Sequence, residues 1–138
     1  MKSRFPVAFT LLFCLHATQV FPSSHHATAA NFDVSKTVKV KGVVARLEWG
    51  NPHAHLVVDV KDSGNVTEQR DVELASPAAI IVSGLSKGVL GPGAALTIVG
   101  YPGKTNGSSG TQREKPLSLC ATQVTLADGT TATFVVGI

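Results

Sequence analysis

Two cysteines in 138 residues cannot build the disulfide framework of a small cysteine-stapled scaffold. Charged residues supply only 15% of the chain and hydrophobic ones 43%, which excludes an intrinsically disordered protein. Aromatic residues are scarce at 6%, with one Trp and one Tyr. Few rings are thus left to stack nucleobases. No Asp or Glu precedes Asp33. The mostly apolar stretch from Phe5 to Phe21 is broken by Pro6, Thr10 and His16–Gln19, and Pro22-Ser23-Ser24 ends it. It falls short of the roughly 20 predominantly apolar residues of a membrane span. No glycine-rich phosphate loop leads into a helix, and no nucleophile motif is present. The length suits one domain.

What is there begins with an address. Lys2 and Arg4 followed by an apolar core of roughly ten to fifteen residues have the make-up of a secretory signal peptide. Cleavage is expected after Ser24, or as late as Ala29, where Ala27-Thr28-Ala29 satisfies the small-x-small rule. The expected location is periplasmic or secreted, with no membrane span left after signal removal. Losing Lys2 and Arg4 takes the formal charge from +3 to +1, so the basic balance belongs mostly to the leader. Cys14 goes as well, and Cys120, between Leu119 and Ala121, is expected to be a small buried hydrophobe.

Residues 25–36 form an N-terminal arm, and 37–138 read as short strands with one small helix. Thr37 to Trp49 is a long strand whose apolar phase changes near Gly42, the expected place of a β-bulge. Trp49-Gly50-Asn51-Pro52 is a turn. His55 to Val60 is a strand with Leu56, Val58 and Val60 on one face and His55, Val57 and Asp59 on the other. Asp62-Ser63-Gly64-Asn65 carries hairpin chemistry, and Val66 to Leu74 is a more polar third strand. Ser76-Pro77 opens a short helix that Gly84 can end. Ala95 to Tyr101 and Leu117 to Leu126 are strands, Pro102 to Glu114 is a mobile loop, and Thr131 to Val136 is a short last strand. The order β-β-β-α-β-β predicts an all-β, five- to six-stranded OB-like barrel, with a two-sheet sandwich as the alternative.

Glu48-Trp49-Gly50-Asn51-Pro52-His53 resembles the mark of a family of small exported bacterial proteins of unknown function, Glu-Trp-x-Asn-Pro-His. The likeness extends to His25-His26 with Asn31-Phe32-Asp33, to Val58-Asp59-Val60 with Asp62 and Gly64, and to Glu73-Leu74-Ala75-Ser76-Pro77. It continues through Leu90, Pro92-Gly93, Gly100-Tyr101-Pro102 and Val124-Thr125-Leu126-Ala127-Asp128-Gly129. The chain departs from the pattern at Ala27-Thr28, at Ala94 and at Gly84-Leu85. The resemblance implies an exported OB-like barrel and no established activity.

Outside the leader, the histidines come in two pairs, His25-His26 and His53-x-His55. Neutral imidazole favours copper, zinc and nickel. On an extended segment His53 and His55 would lie on one side, about 7 Å apart. His25 and His26 on the arm could complete a site, and Asp59 could act as ligand or outer acceptor. The competing reading makes all four polar surface residues, with His53 bonded within its turn. Trp49 is either a plug for a barrel end or a stacking platform, and Asn51 is a turn former. Glu48 and Asp59 offer no acid–base pair, since nothing in the sequence raises either pKa. The expectation is a non-enzymatic exported binding or accessory module whose ligand surface is Glu48, Trp49, Asn51, Pro52 and His53, with copper or zinc as the candidate ion. The alternative is a structural module docking on an envelope protein without metal. Oligonucleotide binding is third, since a charge of +1 gives little hold on phosphates.

Overall fold

The computed structural model describes residues 25–61, 64–104 and 117–135. Helix α1 (His25–Asn31) precedes strands β1 (Val38–Glu48), β2 (His55–Lys61) and β3 (Thr67–Glu73). Helix α2 (Pro77–Val82) and a single 3₁₀ turn (Gly88–Leu90) lead to β4 (Ala95–Pro102), β5 (Leu117–Leu126) and β6 (Thr131–Thr133). Antiparallel pairing runs β3-β2-β1-β4-β5-β6, and a parallel β3–β5 pairing closes the first five strands into a barrel. The fold is the all-β OB-like barrel that the strand order implies, with β6 added at the edge. The parallel closure leaves no place for a two-sheet sandwich.

Alternation builds the core. In β2, Leu56 and Val58 are buried and the residues between them are not. Val44, Val72, Ile98, Leu119 and Val124 meet them inside, and Ile80 of α2 is fully buried against the same cluster. Ser76 caps α2, its hydroxyl accepting from the Ala79 N–H at 3.3 Å, and Pro77 occupies the first turn. Past the helix, Gly84 takes a φ of +92°, a conformation glycine adopts without steric cost. Helix α2 is too short to stand alone and is held by packing Ile80 over the barrel.

The expected bulge at Gly42 is not where the strand slips. Val38, Val40, Gly42 and Val44 keep one inward phase, and the β1–β2 register shifts between Val44 and Arg46. Ala45 is the extra residue. Leu47 and Trp49 then resume the inward phase, while Val43 stays 45% exposed. Gly42 serves a different purpose: a Cβ there would stand 2.5 Å from both the Asp59 carbonyl oxygen and Val58 Cγ1. Only glycine lets β1 and β2 cross this closely.

The arm is tied down. Helix α1 is followed by Phe32, 5% exposed, which bridges to Gly103. The Asp33 N–H donates to Pro102 O and the Lys104 N–H to Asn31 O, both at 2.8 Å, and Lys104 Nζ donates to Ala29 O. Most of the expected loop from Pro102 to Glu114 lies outside the described residues, while Pro102 itself ends β4. The last strand is shorter than expected, ending at Thr133.

Candidate functional site

The turn between β1 and β2 is anchored at both ends. Trp49 packs against the core, and Ala54, fully buried, donates its N–H to Ala75 O and accepts from the Leu74 N–H. Between them the Asn51-Pro52 peptide is cis. The turn and the strand ends beside it border an open groove of about 390 Å³, lined by Glu48, Trp49, Gly50, Asn51, Pro52, His53 and His55. One groove therefore gathers every residue of the expected ligand surface. Trp49 belongs both to the barrel packing and to the groove wall.

The outer faces of β2 and β3 form three polar rungs. His53 Nδ1 lies 2.6 Å from Glu73 Oε1, and His55 Nδ1 lies 3.5 Å from Asp71 Oδ1. Gln69 Nε2 donates to Asp59 Oδ1 at 3.1 Å. The register explains the set: His55 stands opposite Glu73, Val57 opposite Asp71 and Asp59 opposite Gln69. Residues 69, 71 and 73 share the outer face of β3 by alternation. A carboxylate that accepts from Nδ1–H fixes the tautomer of a neutral imidazole and leaves the Nε2 lone pair for an ion. Glu73 is at contact distance from His53, whereas Asp71 at 3.5 Å is a charged neighbour of His55 rather than a hydrogen-bond partner. The sequence hinted at half of this arrangement, the spacing of His53 and His55. The carboxylates of Asp71 and Glu73 were missed because only the register brings them there.

The remaining candidates are placed elsewhere. Asp59 is four residues from His55 along β2, about 13 Å at extended rise. It lines a different groove, with Lys41 and Lys61. Glu48 is paired with Arg46 at 2.8 Å. His25 and His26 begin α1, whose following residues are anchored to the end of β4. On that side of the barrel β5 and β3 lie between β4 and β2. No hydrogen bond or ion pair among the described residues joins α1 to the Trp49–His53 turn. Nor do three His, Cys, Asp or Glu side chains converge on a metal-sized site among the described residues.

Cys120 is buried and free, as expected. Its thiol pKa is pushed up to about 12, first by burial and then by the Glu73 carboxylate. No described helix is long and apolar enough to cross a membrane.

No curated protein matches the chain. A family model described as a family of unknown function, DUF6152, matches residues 14–113, well over half of the sequence. The chain therefore belongs to the family of unknown function DUF6152.

Proposed function

We propose that this protein is an exported, periplasmic or secreted, OB-like binding module, and that the groove beside the β1–β2 turn takes up a copper or zinc ion through Nε2 of His53 and His55. The observation that carries the reading is the pair of His–carboxylate contacts, His53–Glu73 and His55–Asp71. Metal-ligating histidines usually give their second ring nitrogen to such a partner. Both imidazoles are part-exposed on one groove wall, with side-chain exposures of 39% and 37%, so an ion can reach them. Two imidazoles leave coordination positions open for water or an external donor, which fits a binding or accessory role rather than a closed structural site. The groove-side face of Trp49 gives the same site an apolar wall.

The test is calorimetric titration of Cu(II) and Zn(II) into the protein and into a His53→Ala, His55→Ala variant. The expected result is a loss of at least tenfold in affinity for one of the ions. Equal, weak binding by both proteins overturns the metal reading and leaves the family barrel as a structural module that docks on an envelope partner.

A further inference from the structure

A second groove, of about 660 Å³, lies on the outer face of the sheet where β2, β1, β4 and β5 run side by side. Its apolar floor is Val43, Ala95 and Ala127, while the Leu96 and Leu126 that also border it turn their side chains to the core. Val43 is 45% exposed there, and Ala95 and Ala127 are too short to fill the hollow. Gly42 also borders it, and lets β1 close on the Asp59 backbone.

Two lysines stand over that floor. Gly42 pairs with Val60 in the antiparallel β1–β2 register, so Lys41 and Lys61, one residue further on each strand, fall at the same level on adjacent strands. Both are exposed and both line the groove. Like charges directly across a strand pair repel. Among the described residues neither lysine has an ion-pair partner. The one carboxylate in the lining, Asp59, accepts a hydrogen bond from Gln69 and lies two residues before Lys61, opposite Val43. Thr67, Thr97 and Thr125 add hydroxyl donors around the ammonium end.

From this juxtaposition we infer that the groove binds a single-chain amphiphilic carboxylate, with its head between Lys41 and Lys61 and its alkyl chain along Val43, Ala95 and Ala127. The charge pattern selects the head: the lining holds two lysines against the single carboxylate of Asp59, which leaves one net positive charge among the described residues for an anion to neutralise. The apolar floor selects the tail. The volume falls within the 300–1,000 Å³ of small-molecule sites and suits one free molecule. The site shares no residue with the His53–His55 groove and stands independently of the metal reading.

The test is calorimetric titration of the full chain with laurate, below its micellar concentration, beside dodecyltrimethylammonium, which has a similar tail and the opposite charge. Laurate is expected to bind and the ammonium not to. A Lys41→Gln, Lys61→Gln variant should bind laurate at least tenfold more weakly, and a Lys41→Arg, Lys61→Arg variant should retain it, which separates charge from fold. Val43→Asp should also abolish binding, while His53→Ala, His55→Ala should leave it unchanged. Equal binding of the two amphiphiles, or unchanged binding after loss of both lysine charges, overturns the proposal. So does capture of laurate only when it is presented in vesicles of neutral phospholipid, which would make the face a membrane contact.

Discussion

His53 Nδ1 lies 2.6 Å from the Oε1 of Glu73, a residue twenty positions on and one strand away. The contact ties the turn after β1 to the end of β3 and orients the imidazole that the proposed site uses. Glu73→Gln keeps the shape but removes the charge that supports the ring. Zinc or copper affinity is expected to fall about tenfold or more, within the usual range for an outer partner of a metal-bound histidine. Titration calorimetry of the variant reads this directly. An unchanged affinity would make the contact a turn-fixing one only.

How much of this arrangement the sequence carried depends on the interaction involved. Local chemistry was plain: Ser76, Pro77 and Gly84 mark the start and end of α2, and alternation in Leu56, Val58 and Val60 marks the inward face of β2. The strand order then led to the barrel. The slip in β1 was misplaced because two patterns overlap there. Val43 is apolar but exposed, and the pair Ala45-Arg46, which faces out together, looks like ordinary alternation until the Val44 register is known. The site was half visible for a related reason. His53 and His55 are neighbours in sequence, whereas Asp71 and Glu73 reach them through a strand pairing that no local pattern specifies. Asp59 shares the outer face of β2 with His55, but four residues at extended rise put it about 13 Å away, a separation already readable from the sequence.

Gly42 and Gly50 offer a paired test of the close crossing between β1 and β2. A Cβ at Gly42 meets backbone at 2.5 Å, whereas one at Gly50 meets nothing within 4 Å. Gly42→Ala should destabilise by about 1–3 kcal/mol or more, as overpacking does. Gly50→Ala should be near neutral or slightly stabilising through its effect on the unfolded chain. Urea unfolding followed by circular dichroism separates the two. Equal midpoints would mean that the strands part at little cost.

Asp33 gives the turn between α1 and β1 a pH dependence of known sign. Its carboxylate accepts from the Ser35 hydroxyl at 2.6 Å and the Ser35 N–H at 3.2 Å, and faces Lys36 Nζ at 2.9 Å. These contacts, the Ser35 hydroxyl first, lower its pKa from 3.8 to about 2. A depressed folded-state value favours the folded form above the unfolded pKa, and the benefit is lost as pH falls towards 2. Wild type should therefore melt higher than Asp33→Asn at pH 5, and the gap should close between about pH 4 and pH 2. Asp128, lowered by the Thr130 N–H, changes in the same direction. Thermal melts of both proteins across that range check the sign, and a gap that widens on acidification would refute it.

Cys120 tests the docking of the arm. Leu119 and Ala121 belong to the barrel core, so alternation turns Cys120 outward, yet it is only 1% exposed. Phe32, 5% exposed, is likewise buried outside the main cluster, and the arm that carries it is anchored at Gly103, whose N–H donates to Ser118 O. Gly103 thus joins the arm to Ser118, which shares the outer face of β5 with Cys120. A thiol pushed up to about 12 by burial is almost wholly protonated at pH 8 and reacts slowly. In a Cys14→Ser chain, where Cys120 is the only thiol, labelling by a disulfide reagent should be at least a hundredfold slower in the native state than in urea. Phe32→Ala should raise the native rate severalfold while circular dichroism shows the barrel intact, because lifting the arm admits solvent without opening the core. A native rate that Phe32→Ala leaves unchanged would show that the barrel strands alone shield the thiol, and that the arm docks without closing over β5.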